Sequence, residues 1–167
     1  MMKLQPPDTH ALSAALGWLE LGNPRESLAE LDGISAANQS HPGVLEVRWV
    51  VLAELKDWAA AERVAARLIE VVPENVTGWL HRAYALRRMP GGGLPPAWAA
   101  LLPVAEKFPE QPLVAFNLAC YACQLGDLPA ARHWLAQAER ISGAKVIREQ
   151  ALADSDLAAL WPELRGE

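Results

Sequence analysis

Apolar residues recur along this chain at three- and four-residue spacings, and clusters of turn-forming residues interrupt them. The first run covers 8–21 and stops at Gly22-Asn23-Pro24. A proline there suits the first turn of a following helix. The second run reaches about residue 36, before the polar stretch Asn38–Gly43. Further runs cover 44–55, 58–72, 76–89, 95–108, 113–125 and 128–141. Their breaks fall at Lys56-Asp57, Pro73–Asn75, Pro90–Gly93, Pro109–Gln111 and Gly126-Asp127. No stretch sustains the period-two alternation of a half-buried strand. The pattern predicts a succession of paired helices and no sheet.

The pairs are self-similar. When Leu21-Gly22-Asn23 is aligned with Leu125-Gly126-Asp127, the residues five beyond the glycines are Ser27 and Ala131, both small. Lys56-Asp57-Trp58 brings Ala61 to the same site, and Pro73 follows it by twelve residues. Ala97 precedes Pro109 by the same twelve. The units are Asp8–His41, Pro42–Asn75, Val76–Gln111 and Pro112–Lys145. Three are 34 residues long, and the third carries two more in Met89–Pro96, where a surface loop absorbs them.

This pattern resembles the tetratricopeptide repeat, a 34-residue helix–turn–helix with a leading Trp, a Leu-Gly pair, a small residue, an aromatic and a closing Pro. Trp79 stands at the leading aromatic site, Leu118-Ala119 at the Leu-Gly pair, and Pro73 and Pro109 end their units. Arg48-Trp49 depart from the Leu-Gly pair, and Ser27 from the small Ala. The resemblance implies an all-α, right-handed superhelical solenoid of about four repeats, forming one domain. Residues 146–164 follow as a C-terminal cap with a polar outer face, which repeat arrays need. Asp156 is the expected N-cap of a last short turn carrying Leu157, Leu160 and Trp161. The pairing of Asn117–Gly126 with this tail also looks like a class of bacterial repeat proteins that end in the same way.

Charge and composition narrow the function classes. Half of the 167 residues are apolar and the net charge is −5, which opposes general nucleic-acid binding. No apolar run approaches a membrane span. The opening decapeptide has no apolar core of a secretory leader, so a cytoplasmic protein is expected. Two cysteines make no disulfide framework.

Those two cysteines, Cys120 and Cys123, form a C-x-x-C. A reactive thiol wants a helix N-terminus or a nearby cation. The pair falls mid-helix, with no adjacent Lys or Arg, and zinc would need two further ligands. Of the four histidines, His81 alone is expected on the same surface. No nucleophile–His–acid grouping stands out among them. Gly91–Gly93 lack the Lys-Ser/Thr of a phosphate loop and read as a linker. Pro103 is expected to kink the second helix of its unit. Trp58 and Trp79 read as core. No catalytic residue, metal or cofactor is expected.

What remains is a surface. The resemblance implies that the first helix of each unit lines a concave face. The stripe not needed for packing is mainly apolar, and an apolar groove with charged edges suits a helical or extended protein segment. The expected contacts are Leu12, Leu16, Val50, Leu80, Tyr84, Phe116, Asn117 and Cys120, with Arg87 and Arg88 selecting an acidic flank. Leu12 and Leu16 stand where a chaperone-tail clamp would place Lys and Asn, so that ligand class does not fit. The expected function is a non-catalytic interaction scaffold or chaperone-like adaptor for a protein or peptide partner. The alternatives are self-association through the same face, a stripe covered by the C-terminal helix, or thiol redox chemistry at Cys120 and Cys123.

Overall fold

The computed structural model describes residues 3–166; the first two residues of the opening decapeptide lie outside it. Among the described residues every regular element is helical, as the pattern requires. None of these helices is long and apolar enough to cross a membrane. Contacts group the chain into two compact units, one ending at Gly91 and the other opening at Gly92.

The first unit contains α1 (Asp8–Glu20), α2 (Pro24–Asp32), a 3₁₀ turn at Ala36–Asn38, α3 (Pro42–Glu54), α4 (Trp58–Val71) and α5 (Val76–Arg88). Prolines open α2 and α3, where a missing N–H costs nothing. Asp57 and Asn75 cap α4 and α5 by accepting from the N–H groups of Ala60 and Thr77. The helices close around Leu31, Val44 and Val51, all without exposure. Ser27 and Ala61 also have none, so the repeated small site is where the helices touch. Ser27 carries a hydroxyl there and satisfies it on the Ala15 carbonyl at 2.7 Å.

The turns between paired helices share one geometry. Asn23 N–H donates to Trp18, Asp57 to Leu52 and Asp127 to Ala122, each at 2.9 Å. The residue before each donor has positive φ: Gly22 at 73°, Lys56 at 58° and Gly126 at 83°. Glycine adopts this conformation freely, and a side chain there costs roughly 1–2 kcal/mol. Replacing Lys56 by Gly is therefore expected to stabilise the chain by about 0.5–1 kcal/mol after glycine's greater unfolded entropy. Urea unfolding of the variant measures this, and a lower midpoint would show that the lysine is not strained.

The second unit contains α6 (Leu94–Leu101), α7 (Val104–Lys107), α8 (Pro112–Gln124) and α9 (Leu128–Ser142). The C-terminal elements follow: α10 (Ala144–Ala153), a 3₁₀ turn at Ser155–Leu160 and α11 (Trp161–Arg165). Pro103 does more than kink its helix. It ends α6 near Leu102 and leaves α7 only four residues long, because it has no N–H for the carbonyl one turn earlier. Ala97 and Ala131 are again fully enclosed. Nine of the 13 residues of α8 are buried, so it is covered all round rather than amphipathic.

Three sequence expectations change. The cap of the last 3₁₀ turn is Asp154, whose carboxylate accepts from Asp156 N–H at 2.9 Å, because Asp156 lies inside the turn. Trp58 and Trp79 are only half-buried. The enclosed tryptophan is Trp49, which replaces a residue of the Leu-Gly pair. Its neighbour Arg48 reaches back to Asp32, to the Leu31 carbonyl and to Gln39.

Candidate protein-interaction surface

In the first unit the expected contact residues lie on α1, α3 and α5. Leu16, Val50 and Tyr84 are the exposed ones, at 42%, 37% and 39%. Leu12 and Leu80 are half-buried beside them in sequence, and so are Arg87 and Arg88. Each first helix of this unit thus exposes a large apolar side chain.

Tyr84 is held in an aromatic cluster that the sequence pattern does not reveal. Its ring meets Trp49 edge-on at 5.9 Å and Trp58 at 5.7 Å. The Arg88 guanidinium lies 3.4 Å from the Tyr84 ring centre and 5.7 Å from that of Trp58. Its Nη1 donates to the Tyr84 carbonyl at 3.2 Å, closing one helical turn. The spacing of Tyr84 and Arg88, four apart on one helix, was the available signal. Arg88 thus presents a charge fixed over an aromatic face rather than a free side chain.

Beneath the cluster, His81 stacks on Trp49 with ring centres 3.7 Å apart and planes 5° from parallel. Burial holds its imidazole down at about 4, below the ordinary 6.5, so the ring is neutral at physiological pH. Among the described residues, neither His81 Nδ1 nor Trp49 Nε1 has a hydrogen-bond partner. At the other end of the unit, Asp8 ties α1 to the loop after α2. Its carboxylate accepts from Asn38 at 2.6 Å and from the Ser35 hydroxyl and N–H at 2.5 and 2.9 Å. The Asn38 and Ser35 hydrogen bonds hold its pKa below the usual value.

In the second unit Phe116 and Asn117 line a cleft of about 470 Å³ whose other wall is Ala153, Asp154 and Ser155. Leu113, at the mouth, is 55% exposed. Phe116 is itself buried, and so are Cys120 and Cys123. The 3₁₀ turn covers this part of α8, so the C-terminal segment occupies much of the stripe expected to be open. Gln124 donates to the Asp156 carbonyl at 2.9 Å, and Arg132 pairs with Glu163 of α11.

The thiols are part of this cover. Both are free, and Cys120 Sγ lies 3.7 Å from Asp154 Oδ2, where its S–H donates. Cys120, Asp154 and Asp156 bring donor atoms within 4.8 Å of one another. Capping and the thiol–carboxylate contact already engage both oxygens of Asp154. Burial first, and then the charge of Asp156, raise the Cys123 pKa against a lowering contact from the Ala159 backbone. A thiol held up in this way is the opposite of an activated one.

The paired helices with enclosed small residues and repeated left-handed turns make a tetratricopeptide-type fold. No family model matches the chain, and no curated protein matches it. Solved structures do. The chain is similar to TTC0263, a thermophilic TPR protein of Thermus thermophilus, at 18% identity, over 94% of this chain and 82% of that one, with a TM-score of 0.70. It is also similar to MamA residues 41 to the end from Desulfovibrio magneticus RS-1, at 13% identity, 81% and 75% coverage and a TM-score of 0.70. A MamA RS-1 double mutant gives 13% identity, 85% and 79% coverage and a TM-score of 0.71.

Proposed function

We propose that the chain is a non-catalytic protein-interaction module, a scaffold or chaperone-like adaptor that holds a peptide or helical segment. The observation that carries this reading is the exposed row Leu16, Val50 and Tyr84 on successive first helices, with Arg88 fixed over the tyrosine. Leu12, Leu80 and Arg87 complete that contact in the first unit, and an acidic flank on the partner would meet the two arginines. In the second unit Phe116 and Asn117 line a cleft of their own, and Cys120 is enclosed beneath the turn, which takes it out of the contact set. The reading needs no cofactor, nucleic acid or membrane, and it puts the protein in the cytoplasm.

Replacing Leu16 and Tyr84 together by Ala is expected to abolish capture of the partners retained by the unaltered protein from source cells, while far-UV circular dichroism is unchanged. Two exposed apolar anchors of this size carry about 2–4 kcal/mol when an interface encloses them. An identical captured set from both proteins would remove the row as the interface. Exposed apolar surface also favours a second reading, self-association through the same row. Light scattering over a concentration series separates it: a dimer that L16A/Y84A abolishes would make the partner a second copy.

A further inference from the structure

On the first unit, α2, α3 and α4 border an open cleft of about 400 Å³ that none of Leu16, Val50 and Tyr84 lines. Three arginines wall it: Arg48 from α3, and Arg63 and Arg67 one turn apart on α4. One acid, Asp32, lines it with them. Asp32 offsets Arg48 and Glu70, beside the cleft, offsets Arg67, so in a chain of net charge −5 this patch keeps one positive charge in excess. The floor is apolar and includes Leu28, Leu52 and Val64.

The arginines differ in what they already hold. Arg48 is nearly enclosed and fixed by Asp32, the Leu31 carbonyl and Gln39. It sets the shape of the cleft and keeps Asp32 occupied. Arg67 donates to Ser40 Oγ at 3.2 Å and pairs with Glu70 at 2.7 Å, where both side chains are more than half exposed. An exposed pair of this kind yields readily to a competing carboxylate. Among the described residues no side chain pairs with Arg63. Arg63 and Arg67 are four apart on one helix, so their guanidinium groups present two donors on one face.

We propose that this cleft is a second docking site, for an acidic amphipathic helix of another protein. Carboxylates one turn apart on that helix meet Arg63 and Arg67, and its leucines sit on the apolar floor. Charge complementarity selects an acidic partner, and the apolar floor selects a protein segment over a bare anion. The site is independent of the row formed by Leu16, Val50 and Tyr84, so the module has a second class of client.

The test uses the full chain and a fluorescein-labelled helical peptide with Glu at positions i and i+4 and Leu at i+3 and i+7. Fluorescence anisotropy is expected to show saturable binding that weakens with salt. The double variant R63E/R67E is expected to lose roughly ten-fold or more in affinity, and a peptide with Lys in place of both Glu is expected to prefer that variant. The L16A/Y84A variant is expected to bind the Glu peptide as the unaltered chain does. The proposal is overturned if the unaltered chain shows no saturable binding, if R63E/R67E binds equally well, or if the Lys peptide binds the unaltered chain as tightly as the Glu peptide. Loss of binding in L16A/Y84A also overturns it, because the peptide would then be seated on the apolar row.

Discussion

Replacing Leu157 by Ala is expected to destabilise the chain by about 2–5 kcal/mol and to expose both thiols. Leu157 has no exposure and Leu160 almost none, and both belong to the 3₁₀ turn that packs on α8. Their removal from water anchors the C-terminal segment more firmly than its polar contacts do. The Cys120–Asp154 contact is long, and the Arg132–Glu163 pair is exposed. A truncated side chain at 157 leaves a cavity beside the helix that carries Cys120 and Cys123. The two thiols then report local opening. Their rate of reaction with an aromatic disulfide should be slow in the unaltered chain and many times faster in L157A. A matched control is Leu31→Ala, equally enclosed but in the first unit. That variant should lose comparable stability without the same acceleration under native conditions. Equal acceleration in both variants would mean that the thiols report only global unfolding, and that the turn is not a separately anchored cover.

Why the cover was hard to read from sequence follows from the same residues. The helices themselves were legible because their signals are local: prolines at first turns, Asp57 and Asn75 as caps, and apolar residues at helical spacing. The small sites were legible because four repeats gave the same position four times. The turn at Lys56 was legible only by alignment with Gly22 and Gly126, since a lysine gives no sign of positive φ. Cys120 and Asp154 are 34 residues apart, and no local pattern joins them. Two aspartates stand within the tail, and choosing the cap between them required the backbone. Trp49 was unreadable for a related reason. Its burial depends on His81 and Tyr84 from another helix, whereas Trp58 and Trp79 at the expected sites stay half-exposed. Leu16, Val50 and Tyr84 are exposed, each on its own helix, whereas Phe116 and Cys120 of the same expected set are buried, because helical period says nothing of what a distant segment covers.

The stacked His81 predicts an acid-sensitive first unit. Its pKa is about 4 in the folded chain and near 6.5 when unfolded, and burial is the cause. The unfolded chain therefore binds a proton that the folded chain refuses, and stability must fall as pH drops from 6.5 to 4. Above 6.5 the ring is neutral in both states and this dependence vanishes. A shift of this size corresponds to roughly 3 kcal/mol for a fully enclosed ring, and His81 keeps partial solvent contact, so about 2 kcal/mol is expected. Carboxylates whose pKa values are lowered, Asp8 and Glu163, also weaken the fold on acidification. Their loss begins as the unfolded carboxylates take up protons, from about pH 5 downward, so the interval from pH 6.5 to 5 belongs mainly to the imidazole. Replacing His81 by Phe keeps an aromatic ring to stack on Trp49 and removes the titrating nitrogen. It also removes Nδ1, which is buried without a partner, so the variant should be at least as stable at pH 7. Urea midpoints of the two proteins should diverge steadily as pH falls from 6.5 to 5, with the variant nearly flat over that interval. Parallel curves across that interval would show that His81 takes up its proton in the folded chain without cost, and that the stack on Trp49 is open to water.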